Sequence, residues 1–189
     1  MSDMEQRHRV TDVELMTALA HPLRGELLRH LLAHGPRTAS ECAEAVGSTA
    51  SNCSWHLRQL AKFGLVEPVD GADGRQRPWR ATIVGLELGE LAQDDTMRTA
   101  QLAVLGAALR QDQQLTQRFL DHADELPPAW REAGALDNYA LKVTPEELTA
   151  LAARIDALLR PYVTTVRDDA PAEARTVHAA FRAFLWLNR

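Results

Sequence analysis

Cys53, Leu57 and Leu60 share one face of a helical wheel turned about 100° per residue, and Ser51, Trp55, Arg58 and Lys62 share the opposite face. That pattern predicts an amphipathic helix starting from Ser48 or Thr49, with the first set in a core and the second facing outward. Just before it, Thr38 followed three residues later by Glu41 is a capping box, so Ala39 to Val46 reads as another helix. Gly47 sits where a left-handed cap is wanted. Upstream, Pro22 suits the first position of a helix running through Leu31 and ending at Gly35. After Gly64 the runs LVEPV and RQRPWRAT flank DGADG, two short extended segments around a Gly/Asp-rich tip, which is a hairpin signal. Helix, helix, helix and hairpin together predict a winged helix-turn-helix.

Beyond residue 82, Met97, Ala100, Val104, Ala107, Ala108, Leu115 and Phe119 recur with no internal proline, predicting a long helix from Asp94 or Asp95 to Ala123. Past the loop at Pro127 and Pro128, NYALKV is a short strand candidate. In TPEEL, Thr144 is the cap, Pro145 the first helical position and Glu147 the closing residue of the box. That helix is expected to run to about Arg160, before Pro161, and to bury Leu148, Leu151, Ala152, Ile155, Leu158 and Leu159. The final run ARTVHAAFRAFLWLN fits both a helical and a period-two reading.

Residues 17–82 resemble the ArsR-type winged-helix regulators of bacteria. The likeness is carried by LAHPLRGELLRHL in the first helices, by ASECAEAVGSTASNCSWHLRQLAKFGLVE through the turn and the recognition helix, and by the wing behind them. It covers roughly a third of the chain and implies a sequence-specific DNA-binding regulator. C-terminal domains of long ArsR-like regulators are similar in having a strand, a TPEEL-type helix and a closing strand. The resemblance therefore favours a strand in the final run, paired with residues 139–143. The expected fold is mainly α (α+β). Residues 1–82 form a winged helix-turn-helix DNA-binding domain, and 83–189 a C-terminal dimerisation and effector domain with the long helix at about 95–123 and a small β-sheet.

Metal-sensing members of that family carry a Cys-x-Cys at the start of the first helix of the turn, where this chain has Thr38, Ala39 and Ser40. Cys42 and Cys53 instead fall on core faces, where free cysteine behaves as a small hydrophobe. Two isolated cysteines do not make a soft-metal site, which needs several converging ligands. The seven histidines contain no His-x-His, and His122 with Asp121 or Asp124 is not assigned as a site. No metal and no cofactor are expected. His56, where the family also tends to carry histidine, is expected to make a structural hydrogen bond.

Composition is ordinary for a globular protein, at 46% hydrophobic and 25% charged. The start MSDMEQRHRV has no hydrophobic region for insertion and charge interrupts every apolar run, so a cytoplasmic protein with no membrane segment is expected. Two cysteines and no disulfide framework fit a reducing compartment. The net charge of −5 runs against nucleic-acid binding until its distribution is considered. Residues 21–82 hold eight Lys or Arg against six Asp or Glu, whereas 83–189 hold eleven against sixteen. DNA affinity comes largely from phosphate neutralisation, so a barely basic winged helix points to dependence on dimerisation.

In helix-turn-helix proteins the N-terminal part of the recognition helix meets base edges, which nominates Ser48, Thr49, Ala50, Ser51, Asn52 and Trp55. Asn52 can bond adenine bidentately, and Arg58 can read guanine or clamp a phosphate. Lys62 on the same face, and Arg75, Arg77 and Arg80 on or beside the wing, complete the expected surface for double-stranded DNA. Solvation alone explains any one exposed serine or arginine equally well. Trp55 either desolvates thymine methyls and sugar or folds back on Trp79. The long helix is expected to pair with its twin in a homodimer, setting two recognition helices on a pseudo-palindrome. An organic effector would sit among Tyr139, Leu141, Phe181, Phe184 and Trp186, although those side chains equally describe the core of a small domain.

The leading function is a homodimeric repressor released by a small organic molecule. The alternatives are a metal-responsive repressor and a winged helix used for protein contact. An enzyme is not expected, since the chain has no glycine-rich phosphate loop, no Gly-x-Ser-x-Gly and no His-Glu-x-x-His.

Overall fold

A computed structural model describes residues 7–69 and 77–187. The elements in order are β1 (His8–Arg9), α1 (Val13–Ala20), α2 (Pro22–His34), α3 (Ala39–Val46), α4 (Ala50–Lys62), β2 (Val66–Pro68), β3 (Trp79–Ala81), β4 (Leu86–Glu87), α5 (Asp95–Asp121), α6 (Pro128–Ala133) and α7 (Pro145–Leu159). The N-terminal part is a winged helix-turn-helix, and the chain as a whole is mainly helical. It divides into two compact units, one reaching Ala108 and taking in Pro161–Thr176, the other made of Leu109–Arg160 and the chain from Val177. The division falls inside α5 rather than at residue 82.

Local chemistry sets each helix start in the first unit. Asp12 accepts hydrogen bonds from the amides of Glu14 and Leu15, opening α1. Pro22 occupies the first turn of α2, where its missing N–H costs nothing. Thr38 Oγ1 accepts from Glu41 N at 3.2 Å while Glu41 Oε2 accepts from Thr38 N at 2.7 Å, the reciprocal box that opens α3. Gly47 then turns the chain at φ 64°, a left-handed conformation that costs a side chain strain, and Thr49 caps α4 by accepting from Asn52 N at 3.2 Å.

Met16, Leu27, Leu28, Leu31, Cys42, Cys53, Leu57 and Leu60 are completely or almost completely buried where α1 to α4 meet. Each leucine so placed contributes about 1.5–3 kcal/mol of transfer free energy. β2 and β3 pair antiparallel with Val66 opposite Ala81 and Glu67 opposite Arg80. Arg37 extends this hairpin by an isolated bridge to Trp79, with the two residues' amides and carbonyls bonded at 2.9 and 2.7 Å. The wing is thereby fastened to the segment that leads into α3. β1 and β4 form a short parallel pair.

Asp94 caps α5 by accepting from Met97 N at 2.8 Å. Gln101, 3% exposed, donates to the carbonyls of Leu88 and Glu90 and accepts from Ala92 N at 2.8–3.0 Å, pinning the turn that precedes the helix.

In the second unit the Thr144–Glu147 box opens α7 as expected, with bonds of 2.8 and 3.2 Å. The expected burial does not follow. Leu148, Leu151 and Ile155 are half-buried, while Ala152, Leu158 and Leu159 are exposed. Residues 139–143 and the closing run form no strand either, and 139–143 makes no ladder with it. A strand persists only where its amides and carbonyls find a ladder. Here His178 and Arg182 both pair with the Asp112 carboxylate of α5, drawing the closing run to that helix instead.

Candidate nucleic-acid interface

α4 places its polar face outward as the periodicity requires. Ser51, Asn52, Trp55, Arg58 and Lys62 are exposed, opposite the buried Cys53, Leu57 and Leu60. At its N-terminus Thr49 and Ala50 are exposed and Ser48 half-buried, with Ser48 Oγ accepting from the Asn52 amide at 3.1 Å. Arg58 Nη2 donates to Ser54 Oγ at 2.9 Å, and Lys62 Nζ to Gln59 Oε1 at 3.0 Å. Both cations therefore lie along the helix surface with their charges unneutralised by any carboxylate among the described residues.

Between α4, the start of α3 and the wing lies a cleft of about 270 Å³. Arg58 and Arg77 line it together with Ser54, Trp79 and the Thr38–Ala39–Ser40 turn. Two guanidiniums, hydroxyls and the N-terminal end of a helix converge there, and each attracts an anion. Arg58 and Arg77 were nominated from the sequence; Ser54 and residues 38–40 were missed. The available signals were the i−4 position of Ser54 relative to Arg58 and the capping box that marks the start of α3.

Arg80 does not join this group. It lies opposite Glu67 in the hairpin register and donates to Glu67 Oε1 at 2.7 Å through Nε, so its charge is balanced within the wing. Arg75 lies outside the described residues. Trp55 does not fold back on Trp79: its indole is 51% exposed and meets the His56 ring edge-on at 4.7 Å, while Trp79 packs against the core.

His56 behaves differently from the expected hydrogen-bonded histidine. It is buried, its Nδ1 has no hydrogen-bond partner among the described residues, and its ring lies 4.5 Å from that of His21. Burial pushes its pKa down, helped by His21 and Arg24. His30 and His34, one turn apart on α2, have ring centroids 4.7 Å apart. This i, i+4 pair corrects the expectation that no two of the histidines stand at that spacing. Burial, then His34, lowers the His30 pKa. Among the described residues no three His, Cys, Asp or Glu side chains converge to hold a metal ion. Cys42 and Cys53 are fully buried, and burial raises both thiols, Cys42 to about 11, so neither is a ready thiolate.

The side chains assigned to an effector pocket do not enclose one. Tyr139, Leu141, Phe181, Phe184 and Trp186 are all exposed, Tyr139 to 79% and Phe184 to 80%, because the strands that would have turned them inward are not formed. Among the described residues no helix is long and apolar enough to cross a membrane.

Residues 19–69 match the family model described as a helix-turn-helix domain. Residues 19–69 thus carry a helix-turn-helix module. No curated protein matches the chain. Among solved structures, it is similar to the heme sensor protein PefR from Streptococcus agalactiae in complex with heme, at 16% identity over 82% of this chain and 84% of that one, with a TM-score of 0.33. It is also similar to MepR, a transcription regulator of the Staphylococcus aureus multidrug efflux pump MepA, at 16% identity over 79% and 91% of the two chains and a TM-score of 0.31. The zinc-responsive MarR family member ZitR from Lactococcus lactis shows 12% identity over 86% and 83%, with a TM-score of 0.29. Similarity at this level assigns none of their ligands to this chain.

Proposed function

We propose that the chain is a cytoplasmic transcriptional regulator of ArsR type, acting as a homodimeric repressor on an inverted-repeat operator and released by a small organic effector. The observation that carries the DNA-binding reading is the cleft in which Arg58 of α4, Arg77 of the wing and the start of α3 converge beside the exposed, polar N-terminal half of α4. In this reading residues 1–82 are the DNA-binding domain and 83–189 the dimerisation and effector domain. α4 enters the major groove, Ser48, Thr49, Ala50, Ser51, Asn52 and Trp55 face base edges, and Arg58, Lys62, Arg75 and Arg77 meet phosphate or groove. Support for a homodimer comes from Leu102, Leu105 and Leu109, which stand exposed along α5 where a twin helix would cover them. Metal response is disfavoured by the buried, unreactive state of Cys42 and Cys53.

The test is selection of genomic fragments with the purified protein, followed by footprinting of the enriched site at two salt concentrations. A protected inverted repeat whose occupancy falls steeply with salt is the expected result. No enrichment would transfer the weight to a winged helix used for protein contact.

A further inference from the structure

A second cavity, within the first unit, has a different chemistry. About 240 Å³ in volume, it lies where the end of α1 and one face of α2 meet β4 and α5. Its walls are almost entirely apolar, including Leu19, Leu28, Leu32, Leu86 and Val104, and Arg29 is the one charged residue that lines it. Arg29 Nε is buried and has no hydrogen-bond partner among the described residues, and no carboxylate there forms an ion pair with the guanidinium. The nearest acidic influence is Glu26, one turn back on α2 and exposed, which raises the Arg29 pKa against the larger lowering by burial. Gly25 makes room for this arrangement: a Cβ placed there would lie 3.0 Å from Arg29 Nη1.

We propose that this pocket binds a small amphipathic organic acid, its carboxylate paired with the Arg29 guanidinium and its apolar body held against the leucine and valine walls. A guanidinium offers a carboxylate two parallel N–H donors, and one whose buried Nε is unused gains from such a partner. A single half-buried cation beside hydrocarbon walls suits a monoanion. A phosphate dianion would bring a second charge that nothing in the pocket neutralises, and Glu26 would oppose it. The volume falls below the usual range of drug-sized sites, about 300–1,000 Å³, so the ligand is a one-ring or short-chain acid. The proposal supplies a location for the effector of the regulatory reading, yet the binding step itself does not depend on DNA.

The experiment is calorimetric titration of the full-length protein, without DNA, with benzoate, phenylacetate and hexanoate, and with benzamide as the uncharged isostere of benzoate. At least one acid is expected to bind at one site per chain, and benzamide about ten-fold more weakly than benzoate or not at all, the difference a charge-assisted pair makes. Arg29→Gln should weaken the acid by a similar factor. Gly25→Ala crowds the same group from the helix itself, pressing Nη1 aside by a few tenths of an ångström, while alanine favours α2 over glycine, so binding should fall modestly without loss of thermal stability. No binding by any of the three acids, benzamide binding as tightly as benzoate, or variants that bind like wild type would each overturn the proposal. Because DNA is absent, such a failure leaves the operator reading untouched, and a failed footprint leaves this site untouched.

Discussion

Arg58→Ala tests the groove-facing cleft most directly, because Arg58 is exposed and its only hydrogen-bond partner among the described residues, Ser54 Oγ, is replaceable by water. Folding should therefore be indifferent to the change, within about 0.5 kcal/mol. Binding should not be. Each phosphate neutralised contributes about 0.9 to the slope of log affinity against log salt, and a dimer presents the side chain twice, so the variant's slope should be shallower by about 1.8. Raising salt from about 50 to about 200 mM spans roughly 0.6 of a decade, over which the wild type should lose about ten-fold more affinity than the variant. Fluorescence anisotropy with the footprinted duplex reads this, with thermal melting as the control for folding. Arg77→Ala should behave alike, since it lines the same cleft. Arg80→Ala should change the slope less, since Glu67 already holds that charge. If Arg58→Ala and Arg77→Ala both fold and keep the wild-type slope, the cleft does not face phosphate and the assignment of the binding surface is wrong.

Other expectations concern the scaffold that presents this surface. Thr38→Ala removes the cap of α3 and should lower stability by about 0.5–2 kcal/mol in urea unfolding at neutral pH. The Thr38 amide and hydroxyl hold the Glu41 pKa below its usual value, so the contribution of the box is present above the unfolded carboxylate pKa and fades as pH falls through the folded one; an effect of Thr38→Ala that persisted undiminished in strong acid would refute this account. His30 and His56 have lowered folded pKa values, so the unfolded chain takes up protons first and stability should drop as pH falls below about 6.5. Replacing both by glutamine should flatten the stability profile between about pH 7 and 5, and an unchanged slope would count against the buried-neutral assignment. Gln101→Ala strips partners from two carbonyls and an amide at once, and should cost about 2–3 kcal/mol in the same assay, with a smaller loss meaning that water replaces the side chain freely.

The parts of this fold that the sequence announces are those settled within one turn of helix. Thr38 with Glu41, Thr49 with Asn52, and Gly47 each complete their chemistry within a few residues, and the helix starts at Ala39 and Ala50 follow. The outward stripe of α4 is equally local, which is why Arg58 was identifiable. The cleft was not, because it depends on pairing remote in sequence: the bridge between Arg37 and Trp79 brings the wing against the start of α3, and only then do residues 38–40, Ser54 and Arg77 face a common space. Arg80 illustrates the same limit. Its neutralisation by Glu67 is a consequence of hairpin register, which the sequence alone left open. Gln101 was legible in principle, four residues after Met97 and one after Ala100 on the buried face of α5, but a polar residue in an apolar stripe is easily read as noise.

The C-terminal half separates two kinds of signal that look alike in a sequence. The Thr144–Glu147 box needs only its own helix to be satisfied, and it is satisfied. The stripe on α7 and the apolar alternation of the closing run need a neighbour, since burial and strand pairing are properties of two surfaces. Leu158 stands 70% exposed and Trp186 77% exposed, large side chains across which no element among the described residues is laid. Monomeric proteins seldom leave so many large apolar side chains uncovered in one stretch of chain. If the chain dimerises as proposed, the patterns in 139–143, 145–159 and 177–187 form one side of the interface and a second copy is the neighbour they need. In the proposed reading that surface serves dimerisation, and the proposed organic acid is held in the first unit, in the cavity lined by Arg29.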